Sequence, residues 1–143
     1  MKKIDSFSDE FEFLSNFYPS EIEFEGIRYP TNEHFFQAMK TFDIEMRKQI
    51  AAAPTPGKAK RLGRKCQLRP NWEEFKEDFM LIGLRLKFKD PVLKEKLFAT
   101  GDAILEEGNW WGDTYWGVCE GVGKNRLGIL LMGLREELRK EDK

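Results

Sequence analysis

The sequence predicts an α+β fold: a single compact domain over residues 1–143, mostly helical, with short β-strands and one hairpin. Three observations carry this expectation. A chain of 143 residues fits one domain, and at that size about two-thirds of the unfolded surface is buried. Apolar residues recur at helical spacing in several stretches, most of them opened by a capping residue or a proline. One short stretch instead alternates around a glycine, as a hairpin does.

Taken in order, Phe11-Glu12-Phe13-Leu14 has strand-like composition, and Ser15-Asn16-Phe17-Tyr18-Pro19 is a polar and aromatic loop. Ile22-Glu23-Phe24-Glu25 and Ile27-Arg28-Tyr29 flank Gly26 and form the hairpin. A helix follows over Thr31–Lys40, because Pro30 holds Tyr29 extended and Thr31 or Asn32 can cap the free N–H groups. Ile44–Ala53 is a second helix or a continuation, ended by Pro54. Thr55-Pro56 caps a short helix over Lys58–Lys65, and Pro70-Asn71-Trp72 opens a longer one. In the latter, Trp72, Phe75, Phe79, Ile82 and Leu86 make a core-facing stripe. Asp90-Pro91 starts a helix over Val92–Phe98 that stops near Gly101, and Ala103–Glu107 is strand-like. The final helix carries Leu127, Leu130, Leu131, Leu134 and Leu138.

Composition narrows the function. Charged residues make up 34 % of the chain and aromatics 13 %, yet the net charge is −1, so wholesale attraction to nucleic acid or membrane is excluded. The N-terminus has no apolar stretch behind its lysines, and Leu127–Leu134 is too short to span a bilayer. The expectation is a soluble, cytoplasmic domain with no membrane partner. Cys66 and Cys119 make neither a disulfide framework nor a zinc site, and His34 is the only histidine, so no multi-histidine metal centre is available.

The first helix is the element around which the rest is organised. Phe35, Met39, Phe42 and Met46 share its apolar face, while Glu33, Gln37 and Lys40 form a narrow polar stripe opposite. An anchored helix leaves that stripe free to face something else, although an ordinary solvated face has the same pattern. Glu33 lies in the first turn, where the helix dipole favours a carboxylate. Between Met46 and Trp72 there are eight basic residues and no acid: Arg47, Lys48, Lys58, Lys60, Arg61, Arg64, Lys65 and Arg69. A helix N-terminus with converging Lys and Arg suits a phosphate; a solvated basic face is the plainer reading.

Two further stretches invite chemistry. Asn109–Gly117 is the densest aromatic run, and its aromatics around Asp113 suit either a stacking wall beside a carboxylate or a strand packed on the core. The run from Gly121 to Gly128 is not a dinucleotide fingerprint, since Arg126 stands at the third glycine position, nor a P-loop, since Asn125 follows Lys124. A glycine loop opening a helix would still offer backbone N–H groups to an anion.

Several segments together resemble the NADAR (YbiA-like) family: F-L-S-N-F-Y-P at 13–19, Y-P-T-N-E-H-F-F-Q-A-M-K at 29–40, L-G-R at 62–64, N-W at 71–72, W-G-D-T-Y-W-G at 111–117 and G-K-N-R-L-G-I-L-L-M at 123–132. They fall in the family's order over almost the whole chain. Asn71 stands before Trp72 where the family usually has Asp. The resemblance implies a metal-independent N-glycosidase of mixed α and β fold with no cofactor. It implies hydrolysis of the bond between a ribose carbon and an amine or heterocycle nitrogen, with early riboflavin-pathway intermediates bearing ribose 5-phosphate as the expected substrates. The alternatives are removal of ADP-ribose from guanine in nucleic acid, or a non-catalytic module that binds ADP-ribose or another nucleotide. Carried over by motif, Glu33, Asp113 and Lys40 are the catalytic positions, and Asn16, Arg64, Trp72, Trp116 and Asn125 are substrate-binding ones. Cleavage of a ribosyl C–N bond passes through an oxocarbenium-like state that a carboxylate stabilises, and a carboxylate must also activate water. Glu33 and Asp113 fit either role. Lys40, two turns along the stripe and about 10 Å from Glu33 by helix rise, could hold a phosphate or keep Glu33 ionised. Trp72 and Trp116 could flank a flat heterocycle, whereas His34, about 100° around the helix, suits packing better than base chemistry.

Overall fold

The computed structural model describes residues 2–142. In chain order its elements are β1 (Lys3–Ile4), a 3-10 helix (Asp9–Leu14), β2 (Ile22–Phe24), β3 (Ile27–Tyr29), α1 (Asn32–Ala38), α2 (Ile44–Ala51), α3 (Pro56–Lys65), α4 (Trp72–Lys87), α5 (Pro91–Ala99), β4 (Ile104–Leu105), β5 (Gly108–Asn109), β6 (Val118–Cys119) and α6 (Arg126–Glu141). This is the α+β class, mostly helical with short strands. The chain divides into two compact units, residues 16–87 and residues 2–15 with 88–142.

In the first unit, β2 and β3 form an antiparallel hairpin with Ile22 opposite Tyr29 and Phe24 opposite Ile27. Its turn residues Glu25 and Gly26 have φ of 50° and 80°. That mirror-image turn matches the twist of the strands, and glycine adopts it without strain. The hairpin delivers the chain to α1, where the Thr31 hydroxyl accepts the His34 N–H at 3.1 Å and the Asn16 carbonyl accepts the Glu33 N–H at 3.0 Å. Phe35 then packs edge-to-face on Phe24 and Tyr29, with ring centroids 5.2 and 5.7 Å away. Each buried ring of this kind is worth about 1.5–3 kcal/mol of transfer free energy.

Every residue of α1 is buried, the polar ones included. Two glycines make this possible. A Cβ at Gly63 of α3 would collide with the Gln37 amide, and one at Gly83 of α4 would collide with the Asn32 amide and the Phe35 ring. The polar stripe expected to be open is therefore enclosed by close-packed helices. The apolar face is also shorter than its periodicity suggests. α1 tightens after Ala38, and the carbonyls that follow are taken by two arginines: the Arg69 guanidinium donates to Met39 O at 3.1 Å and its backbone N–H to Lys40 O at 2.6 Å, and Arg47 Nε donates to Thr41 O at 2.9 Å. Phe42 thereby leaves the helical register and is exposed, with the Arg69 guanidinium 4.1 Å from its ring centre.

The remaining helices start where expected. Asp43 and Thr55 cap α2 and α3, and Pro56 stands at the start of α3. In α4 the buried face is Trp72, Met80, Gly83, Leu84 and Lys87, while Phe75 is exposed and Phe79, Ile82 and Leu86 are half-buried. The expected stripe is thus rotated around the helix. The reason is Gly83: the small residue, not the large ones, sets the line along which α4 meets α1.

In the second unit, β1 pairs with β4 and β5 with β6, both in parallel. Of the strand expected over Ala103–Glu107, only Ile104–Leu105 pairs, because the chain folds back where the Gly108 N–H donates to the Glu106 carbonyl. The segment Phe11–Leu14, expected as a strand, lies in the 3-10 helix. Phe13 and Leu14 are adjacent and both buried, which a strand with one solvated face could not arrange. Asp90 and Pro91 open α5, and α6 buries Leu127, Leu131 and Leu134. Among the described residues no helix is long and apolar enough to cross a membrane.

Candidate active site

The α1 stripe is a line of paired polar groups inside the first unit. Glu33 is 7 % exposed, and its Oε1 accepts from Gln37 Nε2 at 2.8 Å. Lys40 lies further along, half-buried, with Glu33, Cys66, Lys60 and Arg64 all close enough to act on its charge. Burial pushes the Lys40 ammonium below its ordinary value; Glu33 and Cys66 oppose that, and Lys60 and Arg64 add to it. The same neighbourhood acts on the Cys66 thiol, which burial pushes up and Lys40 pulls back. Lys40 and Arg64, picked out in sequence, are therefore brought together with Glu33.

Other members of the predicted set are tied into the framework. Asn16 accepts from Asn32 Nδ2 at 2.9 Å and donates to Met80 Sδ at 3.5 Å. Trp72 is 5 % exposed and packs on Phe36 and Phe79, at 5.2 and 6.0 Å between ring centres. His34 uses both ring nitrogens, with Thr31 Oγ1 at 2.8 Å and Ala53 O at 3.0 Å, and burial lowers its proton affinity. A neutral ring, Nε2–H donating to Ala53, fits those partners. Arg47 and Arg69 of the basic stretch hold the end of α1, as described above.

Asp113, Trp116 and Asn125 belong to the second unit. The 109–117 segment is a hydrogen-bonded loop after β5 and not a core strand: Trp110 is 86 % and Trp111 52 % exposed. Asn109 donates to Asp113 O at 2.9 Å and accepts the Asp113 N–H at 3.0 Å. Asp113 Oδ1 accepts the N–H groups of Tyr115 and Trp116 at 3.1 and 2.9 Å, and the Trp116 ring packs edge-on against Tyr115. Asn125, at φ 52°, ties α6 to the preceding strands, accepting from Glu107 N–H and donating to Leu105 O, both at 2.9 Å. The expectation that the glycine loop offers its amides to an anion is overturned. The N–H groups of Lys124, Asn125, Arg126 and Leu127 donate to the carbonyls of Thr114, Gly117, Tyr115 and Trp116. The aromatic loop has folded over the helix start and occupies its donors.

A profile of the NADAR domain matches residues 4–139. The chain is a member of the NADAR domain family. N-glycosidase YbiA of Escherichia coli is 44 % identical over 137 residues, covering 93 % of this chain and 85 % of that protein. An N-glycosidase of Nostoc punctiforme is 38 % identical over 134 residues, covering 88 % and 85 %. A riboflavin biosynthesis protein of Vibrio vulnificus is 37 % identical over 131 residues, covering 89 % of this chain but 35 % of that longer protein. The NMR structure of E. coli YbiA matches with a TM-score of 0.87 at 42 % identity, over 99 % of this chain and 89 % of that one.

Within this NADAR member, four features were not picked out as site residues from the sequence. Gln37 could have been found by its four-residue spacing from Glu33. Lys60 was hidden in a run of charges, and Cys66 carried no signal. Lys87, at the end of α4, reads as a solvated helix end yet is 2 % exposed, with its ammonium 5.8 Å from the Tyr18 ring centre, and burial pushes it down to about 7. A cavity of about 340 Å³ opens beside the end of α1, lined by Thr41, Phe42, Met46, Cys66, Leu68 and Arg69 among others.

Proposed function

We propose that the chain is an N-glycosidase, a hydrolase that cleaves the bond between a ribosyl carbon and an amine or heterocycle nitrogen. The observation that carries this reading is Glu33, a nearly buried carboxylate held by Gln37 and near enough to Lys40 to act on its charge. Its relatives named N-glycosidases support the reaction class. The relative named for riboflavin biosynthesis supports early riboflavin-pathway N-ribosides bearing ribose 5-phosphate as the substrate class.

Glu33 acts on water. As the C1′–N bond lengthens, its electron pair goes to nitrogen and positive charge builds on C1′, which a carboxylate in a dry setting stabilises. The water oxygen bonds to C1′, one water proton passes to Glu33, and a proton is finally delivered to the departing amine, so the products are ribose 5-phosphate and free amine. Lys40 with Lys60 and Arg64 receives the phosphate end, which lies beyond the ribose in such a substrate. We assign Asp113 a second carboxylate role through Oδ2, and Trp116 a stacking role for the flat leaving group. The deciding experiment is incubation with a panel of N-ribosides, comprising riboflavin intermediates, NAD and ADP-ribosylated guanine in DNA, scored by released sugar. Turnover of the phosphoribosyl members is the expected result. Cleavage of the guanine adduct alone would move the substrate class to ADP-ribosyl groups, and binding of ADP-ribose without any release would make the chain a binding module.

A further inference from the structure

We infer that Gln37, held in place by Gly63, is a positioning residue that fixes the Glu33 carboxylate and keeps it ionised. Its catalytic consequence rests on the reading of Glu33 above, while its effect on the carboxylate stands independently. Gln37 is 3 % exposed, four residues after Glu33 and so directly above it on α1. Its Nε2 donates to Glu33 Oε1 at 2.8 Å. The other end of the same amide, Oε1, is buried without a hydrogen-bond partner and lies directly against the Cα of Gly63, with Gln37 Cδ and Cβ at 2.9 and 3.1 Å from where a Cβ of residue 63 would stand.

These contacts select one orientation of the amide. Turned over, it would point its carbonyl oxygen at the Glu33 carboxylate, setting acceptor against acceptor. In the observed orientation the oxygen abuts a Cα carrying two weakly acidic hydrogens, a contact that is mildly attractive. Any side chain at 63 would displace the amide from Glu33. The glycine of the Leu62-Gly63-Arg64 segment therefore acts at a distance on the acid. A carboxylate that is 7 % exposed is driven toward the neutral form by desolvation; the Lys40 charge that acts on it and a hydrogen bond donated to its charged form both oppose that, and loss of the Gln37 donor removes only the second. The unfilled acceptor on Gln37 is the cost of holding that donor in place, since a buried amide oxygen without a partner is itself unfavourable.

The test is Gln37→Met, which keeps the length of the side chain and removes the donor. ¹³C-NMR titration of the Glu33 carboxyl in the substrate-free variant should show a midpoint raised by about one to two pH units, the scale of one hydrogen bond to a charged group. With whichever N-riboside the parent cleaves, the acid limb of kcat/KM should move upward by the same amount while KM changes little. A titration midpoint that stays put overturns the proposal even if activity falls, since a merely structural Gln37 would lower activity without moving it. Should Gln37→Met fail to fold, Gln37→Glu serves in its place. Two carboxyls then share the site, and the apparent midpoint must rise further; an unmoved one overturns the proposal. Glu33→Gln run in parallel separates the two claims. If it is inactive and the Gln37 variants leave the midpoint unmoved, only the positioning role fails; if it retains turnover while the midpoint moves, only the reading of Glu33 as the carboxylate that activates water fails.

Discussion

Glu33 and Asp113 are both acids set among aromatic residues in the sequence, and their surroundings differ in kind. Glu33 is nearly buried and accepts from a side chain, Gln37, that is itself wedged against a glycine of another helix. Asp113 is half-buried and accepts from two backbone N–H groups of its own loop, three residues away at most. Backbone amides hold an oxygen whatever its charge, so an asparagine could keep that loop together. A carboxylate in a packed interior depends on partners that answer its charge. The contrast teaches that a carboxylate can be held by the backbone of its own turn in one unit and by a side chain of a packed helix in the other, and neutral isosteres are the tool that tells whether either charge matters to function.

The largest expected effect is at Glu33. Glu33→Gln keeps an oxygen for Gln37 and removes only the charge, so the melting temperature should stay near the parent value while kcat falls about a thousandfold, within the range for a general base. A variant that melts like the parent and turns over like it would break the contrast from the interior side.

Asp113 tests the other side. Asp113→Asn retains an oxygen for the Tyr115 and Trp116 N–H groups, so product affinity by calorimetry should hold while kcat drops about a hundredfold, the scale of one preorganised electrostatic contact. Asp113→Ala should in addition lower the melting temperature, because two turn hydrogen bonds worth about 1 kcal/mol each are lost. If the asparagine variant is as active as the parent, Asp113 is architecture alone and the chemistry rests on the α1 line.

Arg64→Ala sharpens the role of the basic stretch. It should raise KM about tenfold for a 5′-phosphorylated N-riboside, as loss of one charge-assisted hydrogen bond does, and leave the unphosphorylated nucleoside nearly unchanged. Equal effects on both substrates would return Arg64 to a structural role beside Arg47 and Arg69.

Caps and hairpins were legible because they are written locally. Thr31, Thr55-Pro56 and Asp90-Pro91 each start a helix where their chemistry says one should start, and the hairpin turns at Gly26. What stayed hidden depends on which helix lies opposite. Nothing in the periodicity of α4 says that Gly83, rather than Phe75 or Leu86, marks its contact line, because a glycine matters only when another backbone approaches it. For the same reason the α1 stripe read as open, although Gly63 and Gly83 let neighbours close over it. Two of the eight basic residues, Arg47 and Arg69, bind carbonyls at the end of α1, a use that no charge count distinguishes from phosphate binding. Within the candidate site, Glu33, Lys40 and Arg64 were legible as a motif, whereas Cys66 and Lys60 joined them only through the packing of α3.

The smallest expected effect belongs to Lys40, and pH exposes it. Burial first, with Lys60 and Arg64 adding to it, lowers the proton affinity of this ammonium below that of an exposed lysine. Its charge is therefore complete at low pH and is lost on the alkaline side sooner than an ordinary lysine's would be. A ribose 5′-phosphate has its second ionisation near about 6 and carries constant charge above it. Any alkaline rise in KM for such a substrate then reports the protein. The parent should show KM increasing a few-fold as the pH climbs through the lowered Lys40 value, the scale of one partly exposed ion pair. Lys40→Arg carries a guanidinium that stays protonated throughout the accessible range, so its KM should remain flat over the same pH span. An alkaline rise identical in parent and variant would remove Lys40 from phosphate binding and leave it the narrower task of balancing the charge of Glu33.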